Sequence, residues 1–491
     1  MKKSRVSKIS NILRAPSAVI IFFILGLLLG ASLNHSIFIV ELAVLSLLTI
    51  LLFILLKQKA FVGLALSFIL GLGYFCLFSY LNRNHIEPGC GQYTVYSDPK
   101  KTGNNVEFLV KDQRGLSGIV QAATIIPLGY KDKLNICFDA KDNITSPAMS
   151  DFYLKSRYKT SYIVKNPEIE VLSIGGGLVR SLYNLADKVE SKLSNLFSGN
   201  AASLAKGLLL GGSGSFTDDF KEYLKRSGTT HLVAVSGYNV SIITIIIFQL
   251  LRQMISKRFA VISSLIFLLL FCILTGGTAS VLRASLMGFL YIFAKVIGRR
   301  SAMINSLFVA AFLMVLINPY LLWDVGFKLS FAATFGLVFL GEPLNRLLFG
   351  KLPDGFWKNM GAILGETLSA TIFTLPILLG TFGRISLVSP VANLLILPLV
   401  PLAMLLIFIA LIASYMWLNL GLFISGFANI LLTYFLWVVR FFGNGKLSSL
   451  EFKSPHWTVI AVLYLLILIF TIGIRNKFRE GYGNKAQSKI D

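Results

Sequence analysis

Long apolar runs separated by short polar breaks make up most of this chain. A helix that crosses a hydrocarbon core needs about 20 mainly apolar residues, and twelve runs approach that length. They lie near residues 17–34, 37–56, 60–81, 231–255, 258–275, 279–298, 303–318, 328–345, 362–380, 388–414, 419–441 and 456–475. Proline interrupts several of the later ones. Pro319 in "NPY", the prolines of "SPVANLLILPLVP" and "TLPILLG" predict broken helices of the kind that surround a path or kink against lipid.

Residues 82–172 break this pattern. They hold no membrane-length run, and "NVEFLVKD", "SGIVQAATII" and "KLNICFDAK" alternate with the period of strands. The fold class is therefore a polytopic α-helical membrane protein of about 10–12 spans, some broken or re-entrant, with a small β domain inserted outside the cytoplasm. Its expected divisions are N-terminal spans at 1–81, the β domain at 82–172, amphipathic and interfacial helices at 173–228, a membrane domain at 229–475 and a basic tail at 476–491.

Within 173–228, "LVRSLYNLADKVESKLSNLF" has the spacing of an amphipathic helix, and "AASLAKGLLLGG" is too short to span. "FTDDFKEYLKRSG" carries acids in its first turn, bases in its last and Gly228 as a terminator.

Charge fixes the expected orientation. Lys2, Lys3, Arg5, Lys8 and Arg14 precede the first run, Lys57 and Lys59 follow the second, and Lys257, Arg258, Arg299, Arg300, Arg475, Lys477 and Arg479 flank later ones. An even number of spans with both termini cytoplasmic satisfies all of these. The first span reads as an uncleaved anchor. The formal charge of +23 in a chain that is 55% hydrophobic fits the positive-inside rule and headgroup contact better than a nucleic-acid footprint, so charge names no substrate.

Several side chains can carry chemistry. His231 and Ser236 in "HLVAVSGYNV" invite a nucleophile and base, but no Gly-x-Ser-x-Gly turn and no orienting carboxylate accompany them. Their other role is to pair irregular backbone at a cavity, together with Thr229, Thr230 and Asn239. Arg283, Lys328, Glu366 and Glu41 fall inside apolar runs, where each ionised group is costly. Asp324 and Lys328 are four apart and neutralise one another if that segment is helical; Arg283 has no carboxylate within a turn. "GGSGS" lacks the ending of a phosphate loop, and the four histidines, His35, His85, His231 and His456, are scattered. No cofactor, no metal and no enzymatic activity are expected. Cys90 and Cys137 both fall in the β domain, where an oxidising compartment lets them pair or leaves two separate buried thiols; spacing does not choose.

The stretch "TTHLVAVSGYNV" resembles the "tG…HLlAiSGlHv" signature of the ComEC competence family. "LAKGLLLGGSGSFTDDFKEYLKRSG" precedes it, and "SVLRASLMGFLYIFAKVIGRR", "NPYLLWDVGFKLSFAATFGLV" and "GRISLVSPVANLLILPL" follow in the family's order. Residues 90–165 are similar to its extracytoplasmic OB-like domain. Two departures stand out. Asn239 replaces a common histidine, and the metallo-β-lactamase-like domain of longer members is missing from the sequence.

The resemblance implies a bacterial inner-membrane channel that passes single-stranded transforming DNA into the cytoplasm. Its expected partners are single-stranded DNA, membrane lipids, a DNA receptor, a separate nuclease and a cytoplasmic ATPase or single-strand-binding protein. Candidate path residues are His231, Ser236, Asn239, Arg283, Asp324, Lys328, Ser330 and Asn393. Tyr93, Tyr96, Lys100 and Lys101 are candidate contacts on the β domain by stacking beside a basic groove, although residues 91–170 hold 11 basic against 9 acidic side chains. A small-solute or lipid-precursor transporter is the second reading, and a membrane hydrolase at His231 and Ser236 the third.

Overall fold

A computed structural model describes residues 16–32, 59–81, 89–97, 99–102, 105–113, 117–122, 128–138, 163–211, 216–233, 237–296, 303–353, 355–445, 448–452 and 456–487. The predicted span at 37–56, Glu41 and Ser236 lie outside them. In chain order the helices are α1 (Pro16–Ser32) and α2 (Lys59–Leu81), and then come strands β1 (Gly89–Val95), β2 (Lys100–Thr102), β3 (Asn105–Asp112), β4 (Ser117–Ala122), β5 (Lys133–Phe138), β6 (Ile163–Lys165) and β7 (Glu168–Ser173). Next are α3 (Leu178–Leu196), α4 (Gly199–Leu209), α5 (Asp218–Ser227), α6 (Gly237–Met254), α7 (Lys257–Leu274), α8 (Ala279–Val296) and α9 (Met303–Ile317). The chain continues through α10 (Val325–Gly336), α11 (Glu342–Phe349), α12 (Phe356–Phe382), β8 (Arg384–Ser386), α13 (Ser389–Ile396), α14 (Val400–Met416), α15 (Leu418–Gly443), β9 (Ser449–Glu451) and α16 (Trp457–Gln487).

These elements form two compact units, Met1–Gly176 with Phe289–Asp324, and Gly177–Gly288 with Val325–Asp491. Residues 289–324 pack with the first unit. The physical basis is aromatic packing. Phe312 of α9 meets the Phe23 ring of α1 at 5.1 Å, and Tyr320 meets Phe75 of α2 at 5.5 Å. Helices α1 and α2 themselves touch backbone to backbone, since a Cβ at Gly26 or Gly71 would lie within 2.0 Å of the other helix's carbonyl oxygen. Small residues permit such close pairing in lipid, where apolar burial drives little association.

The sheet of the first unit follows the order β6-β4-β3-β1-β5-β7, with β2 beside β3. All pairs are antiparallel except β4 with β6. Strands β6 and β7 stand at opposite ends of that path, yet only Asn166 and Pro167 separate them. Three Cα steps span at most about 11 Å, so the two edges meet and the sheet is rolled. Asn166 takes a left-handed conformation at the join and donates its N–H to the Gln121 carbonyl at 2.7 Å. Alternate residues fill the interior, Val95, Phe108, Val110, Leu134 and Ile136 among them. Buried Asp132 accepts the Gly129 and Gly175 N–H groups at 2.6 and 2.7 Å, which satisfies a carboxylate that would otherwise be costly. Cys90 and Cys137 face each other in register on β1 and β5 and are disulfide-bonded.

Among the described residues of the second unit, four helical segments are long and apolar enough to cross a membrane: Val325–Phe349, Phe356–Phe382, Ser389–Met416 and Leu418–Gly443. At 25 to 28 residues they rise about 38–42 Å, enough to span the hydrocarbon with some tilt. Shorter apolar helices, Arg258–Leu274 and Thr458–Ile474 among them, accompany these. Helix α4 is buried along most of its length and joins Leu193, Phe220, Ile396, Met404, Leu432 and Phe435 in one core.

Proline acts here in three ways. Pro398 and Pro401 divide Ser389–Met416 by a 3₁₀ turn at Leu397–Leu399, as the sequence predicts. A π-helical turn at Leu337–Gly341 precedes Pro343, whose missing N–H leaves the carbonyl four residues back without its usual donor. Pro376 instead stays inside a continuous α12, so "TLPILLG" does not break its helix. Hydroxyls beside it, such as that of Thr374 on the Ala370 carbonyl, bond back along the helix. Helix α16 continues to Gln487.

Candidate nucleic-acid path

Tight connections reverse the chain repeatedly in the second unit: residues 255–256 between α6 and α7, 275–278 between α7 and α8, 350–355 between α11 and α12, and Trp417 alone between α14 and α15. This alternation brings the first turns of α6 and α8 to one end. The last turn of α12, the first of α13 and the last of α15 meet α5 and the β8–β9 pair. Helix α5 carries Asp218 and Asp219 in its first turn and Lys225 and Arg226 in its last, and Gly228 ends it in the left-handed conformation.

Gly228 also makes a close approach. A Cβ there would sit 2.5 Å from Cβ of Ser389 and 2.9 Å from that of Ser386. Gly228→Ala is therefore expected to lower the unfolding free energy by about 2–4 kcal/mol, from left-handed strain plus overpacking. Thermal unfolding of the purified chain in detergent reads this directly.

Arg283 stands on the second turn of α8. Its Nη1 donates to the Ser330 carbonyl of α10 at 2.7 Å, and the Thr334 hydroxyl donates to the same oxygen at 2.9 Å. Its Nη2 rests against the first residue of α6, because a Cβ on Gly237 would come within 2.5 Å of it. Its buried Nε has no hydrogen-bond partner, and no carboxylate pairs with it among the described residues. A guanidinium is always charged. Held by a carbonyl alone, this one retains donor capacity and its full positive charge.

The other predicted residues divide. Asn239 is buried, with Nδ2 donating to the Leu208 carbonyl at 3.3 Å, so its amide ties α6 to the end of α4. Asn393 is buried and donates to Ser389 Oγ at 3.3 Å, and Ser389 in turn donates to the Gly228 carbonyl at 3.5 Å. Ser330 contributes its carbonyl to Arg283 while its side chain is buried. Asn239 and Ser330 thus tie helices together, whereas Asn393 keeps a buried Oδ1 with no hydrogen-bond partner. Lys328 is exposed on α10. Asp324 lies just before α10 in extended backbone.

His231 lies in a 3₁₀ turn at Thr230–Leu232. It reaches the surface, yet the dense surroundings of the turn desolvate its ring and hold its pKa below the usual imidazole value, the hydrogen bond with the Gly228 backbone working the other way. The lowered pKa favours the uncharged imidazole.

On the β domain, Tyr93 is a core residue and is not available to stack on a base, a correction that follows from its inward register on β1. Tyr96 is half-buried with Lys111 Nζ 5.2 Å from its ring centroid. Lys100 and Lys101 lie on β2. Sequence reasoning missed Lys111, which pairs with Thr94 across β1 and β3. It also missed Arg384, which pairs with both Glu222 and Glu451 and clamps β8 and β9 to α5. The signal for that clamp was two acids among basic neighbours.

Residues 208–477 match the sequence profile of the family described as Competence protein, more than half of the chain. This chain belongs to that family. The family match contains α6, α8, α10, α12 and α13, and with them Gly237, Arg283 and Ser330. Among curated relatives, ComE operon protein 3 of Bacillus subtilis (strain 168) is 26% identical over 348 residues, 68% of this chain and 43% of that protein. An uncharacterized protein MG316 homolog of Mycoplasma pneumoniae is 28% identical over 250 residues, 50% of this chain and 59% of that protein. The chain thus spans about half the length of these two relatives. No solved structure matches it.

Proposed function

We propose that this competence-family protein is an inner-membrane channel through which single-stranded DNA enters the cytoplasm. The observation that carries the reading is Arg283. It is a permanent cation inside an apolar helix, tied to a carbonyl and not to a carboxylate, at the end of the unit where short turns and polar side chains gather. A phosphate backbone needs such a group to offset the cost of leaving water, and a single spaced cation attracts phosphates without trapping them.

Orientation supports the same direction of travel. Basic residues at the ends of α6, α11 and α16 lie cytoplasmic by the positive-inside rule, which turns the Arg283 end outward. The disulfide of the rolled sheet belongs to an oxidising compartment, again outside. The rolled sheet is the OB-like domain of this reading, and Tyr96 with Lys111 offers its aromatic and cationic contact.

Cells lacking this protein and supplied with labelled double-stranded DNA test the reading. The expected result is surface binding without cytoplasmic label, restored by the normal chain; unchanged cytoplasmic entry without the protein contradicts it. Gly237→Ala at equal abundance is expected to cut entry by about tenfold, because the added methyl displaces the flexible tip of Arg283 and nothing else at that contact. Pulse-labelled uptake reads the loss, with protein abundance unchanged.

A further inference from the structure

One face of α15 is exposed along its whole length, through Phe423, Phe427, Ile430, Trp437 and Phe441, while Ser425, Ala428, Leu432, Phe435 and Val439 on the other face are buried. In a membrane-spanning helix the exposed apolar stripe lies against acyl chains, and Trp437 near its end fits the interfacial aromatic belt. The stripe then changes chemistry within a turn. Arg440 and Asn444, also exposed, line a cavity of about 400 Å³ together with Asn200, Thr217 and Asp219. The Arg440 guanidinium stands 5.8 Å from the centroid of the buried Phe220 ring, a cation–π contact that restrains it at the cavity. This site lies on different helices from Arg283 and takes no part in the path described above.

We propose that this cavity binds the headgroup of a phospholipid that carries a phosphate and a primary ammonium, the phosphoethanolamine type. Arg440 takes the phosphate through its paired donors and the Asn444 amide adds another. Asp219, which has no ion pair among the described residues, takes the ammonium, and Thr217 and Asn200 complete the hydrogen bonding. The acyl chains run down the stripe from Phe441 toward Phe423. A glycerol headgroup leaves Asp219 without a cation. A passing DNA strand fits worse, since Asp219 repels its phosphates and the Phe220 ring is too buried to stack on a base.

The full chain, purified in detergent and stripped of lipid, tests this by native mass spectrometry with short-chain phosphatidylethanolamine, phosphatidylglycerol and water-soluble phosphoethanolamine as probes. The expected result is a preference of about tenfold for the ethanolamine lipid over the glycerol lipid and over the soluble headgroup. Arg440→Ala and Asn444→Asp lose the bound lipid, and Asp219→Asn removes the preference between the two lipids, with thermal unfolding unchanged in all three. Equal retention of both lipids by the normal chain, undiminished ethanolamine-lipid binding in Arg440→Ala and Asn444→Asp, soluble phosphoethanolamine binding as tightly as the lipid, or displacement by a single-stranded oligonucleotide overturns the proposal.

Discussion

Arg283→Ala is expected to reduce cytoplasmic entry of labelled DNA by about 10- to 100-fold at unchanged abundance, the range that follows from losing one charged hydrogen-bond donor worth about 1.5–3 kcal/mol. The substitution removes the charge that a strand would meet between α6, α8 and α10. It also frees the Ser330 carbonyl, which keeps its bond from the Thr334 hydroxyl, so folding is little disturbed. Arg283→Lys separates charge from shape. A lysine retains the charge but lacks the fork that reaches the Ser330 carbonyl while resting on Gly237, so an intermediate loss is expected. If the two variants fail equally, the geometry of the fork matters more than its charge.

Cys90→Ser carries the second large effect. The bridge closes a stretch with a sequence separation of 47 between strands already in register, and removing it is expected to cost the β domain about 2–4 kcal/mol. Limited proteolysis of membranes measures it: sites within the domain become cleavable in Cys90→Ser and in Cys137→Ser alike, while the second unit stays resistant. Alkylation of the normal chain before and after reduction adds a check on orientation. Two thiols that react only after reduction place the domain on the oxidising side, and thiols reactive from the start place it in the cytoplasm.

What the sequence made legible follows from which interactions are local. The cap of α5 was readable because two acids, two bases and Gly228 sit within a dozen residues. The β domain was readable because alternation has a fixed period, and the proline breaks around Leu397–Leu399 because the missing N–H acts on its own helix. Long-range matters were not readable. Tyr93 looked like a stacking platform because its inward register depends on strand pairing, and Pro376 looked like a break because backbone bonding by nearby hydroxyls does not announce itself. Asn239 looked like a path residue because it is a polar group in an apolar run, and its bond to the Leu208 carbonyl, which the sequence does not reveal, ties it to α4. Arg283 was visible as a costly cation, while its seat on Gly237 was not.

That seat supplies a physical reason for the glycine in "AVSGYNV", the stretch that carries the family resemblance. The glycine lets α6 begin directly against a guanidinium that comes from 46 residues later in the chain.

The central claim is that a DNA strand passes Arg283, and photocrosslinking tests it most directly. A photoreactive residue placed at Met287, one turn along the same face of α8, with a control at Phe423 on the exposed face of α15, is carried through uptake of labelled DNA and then irradiated. The account predicts strand label on the protein from position 287 and none from position 423. Label at neither position during active uptake, or equal label at both, contradicts it.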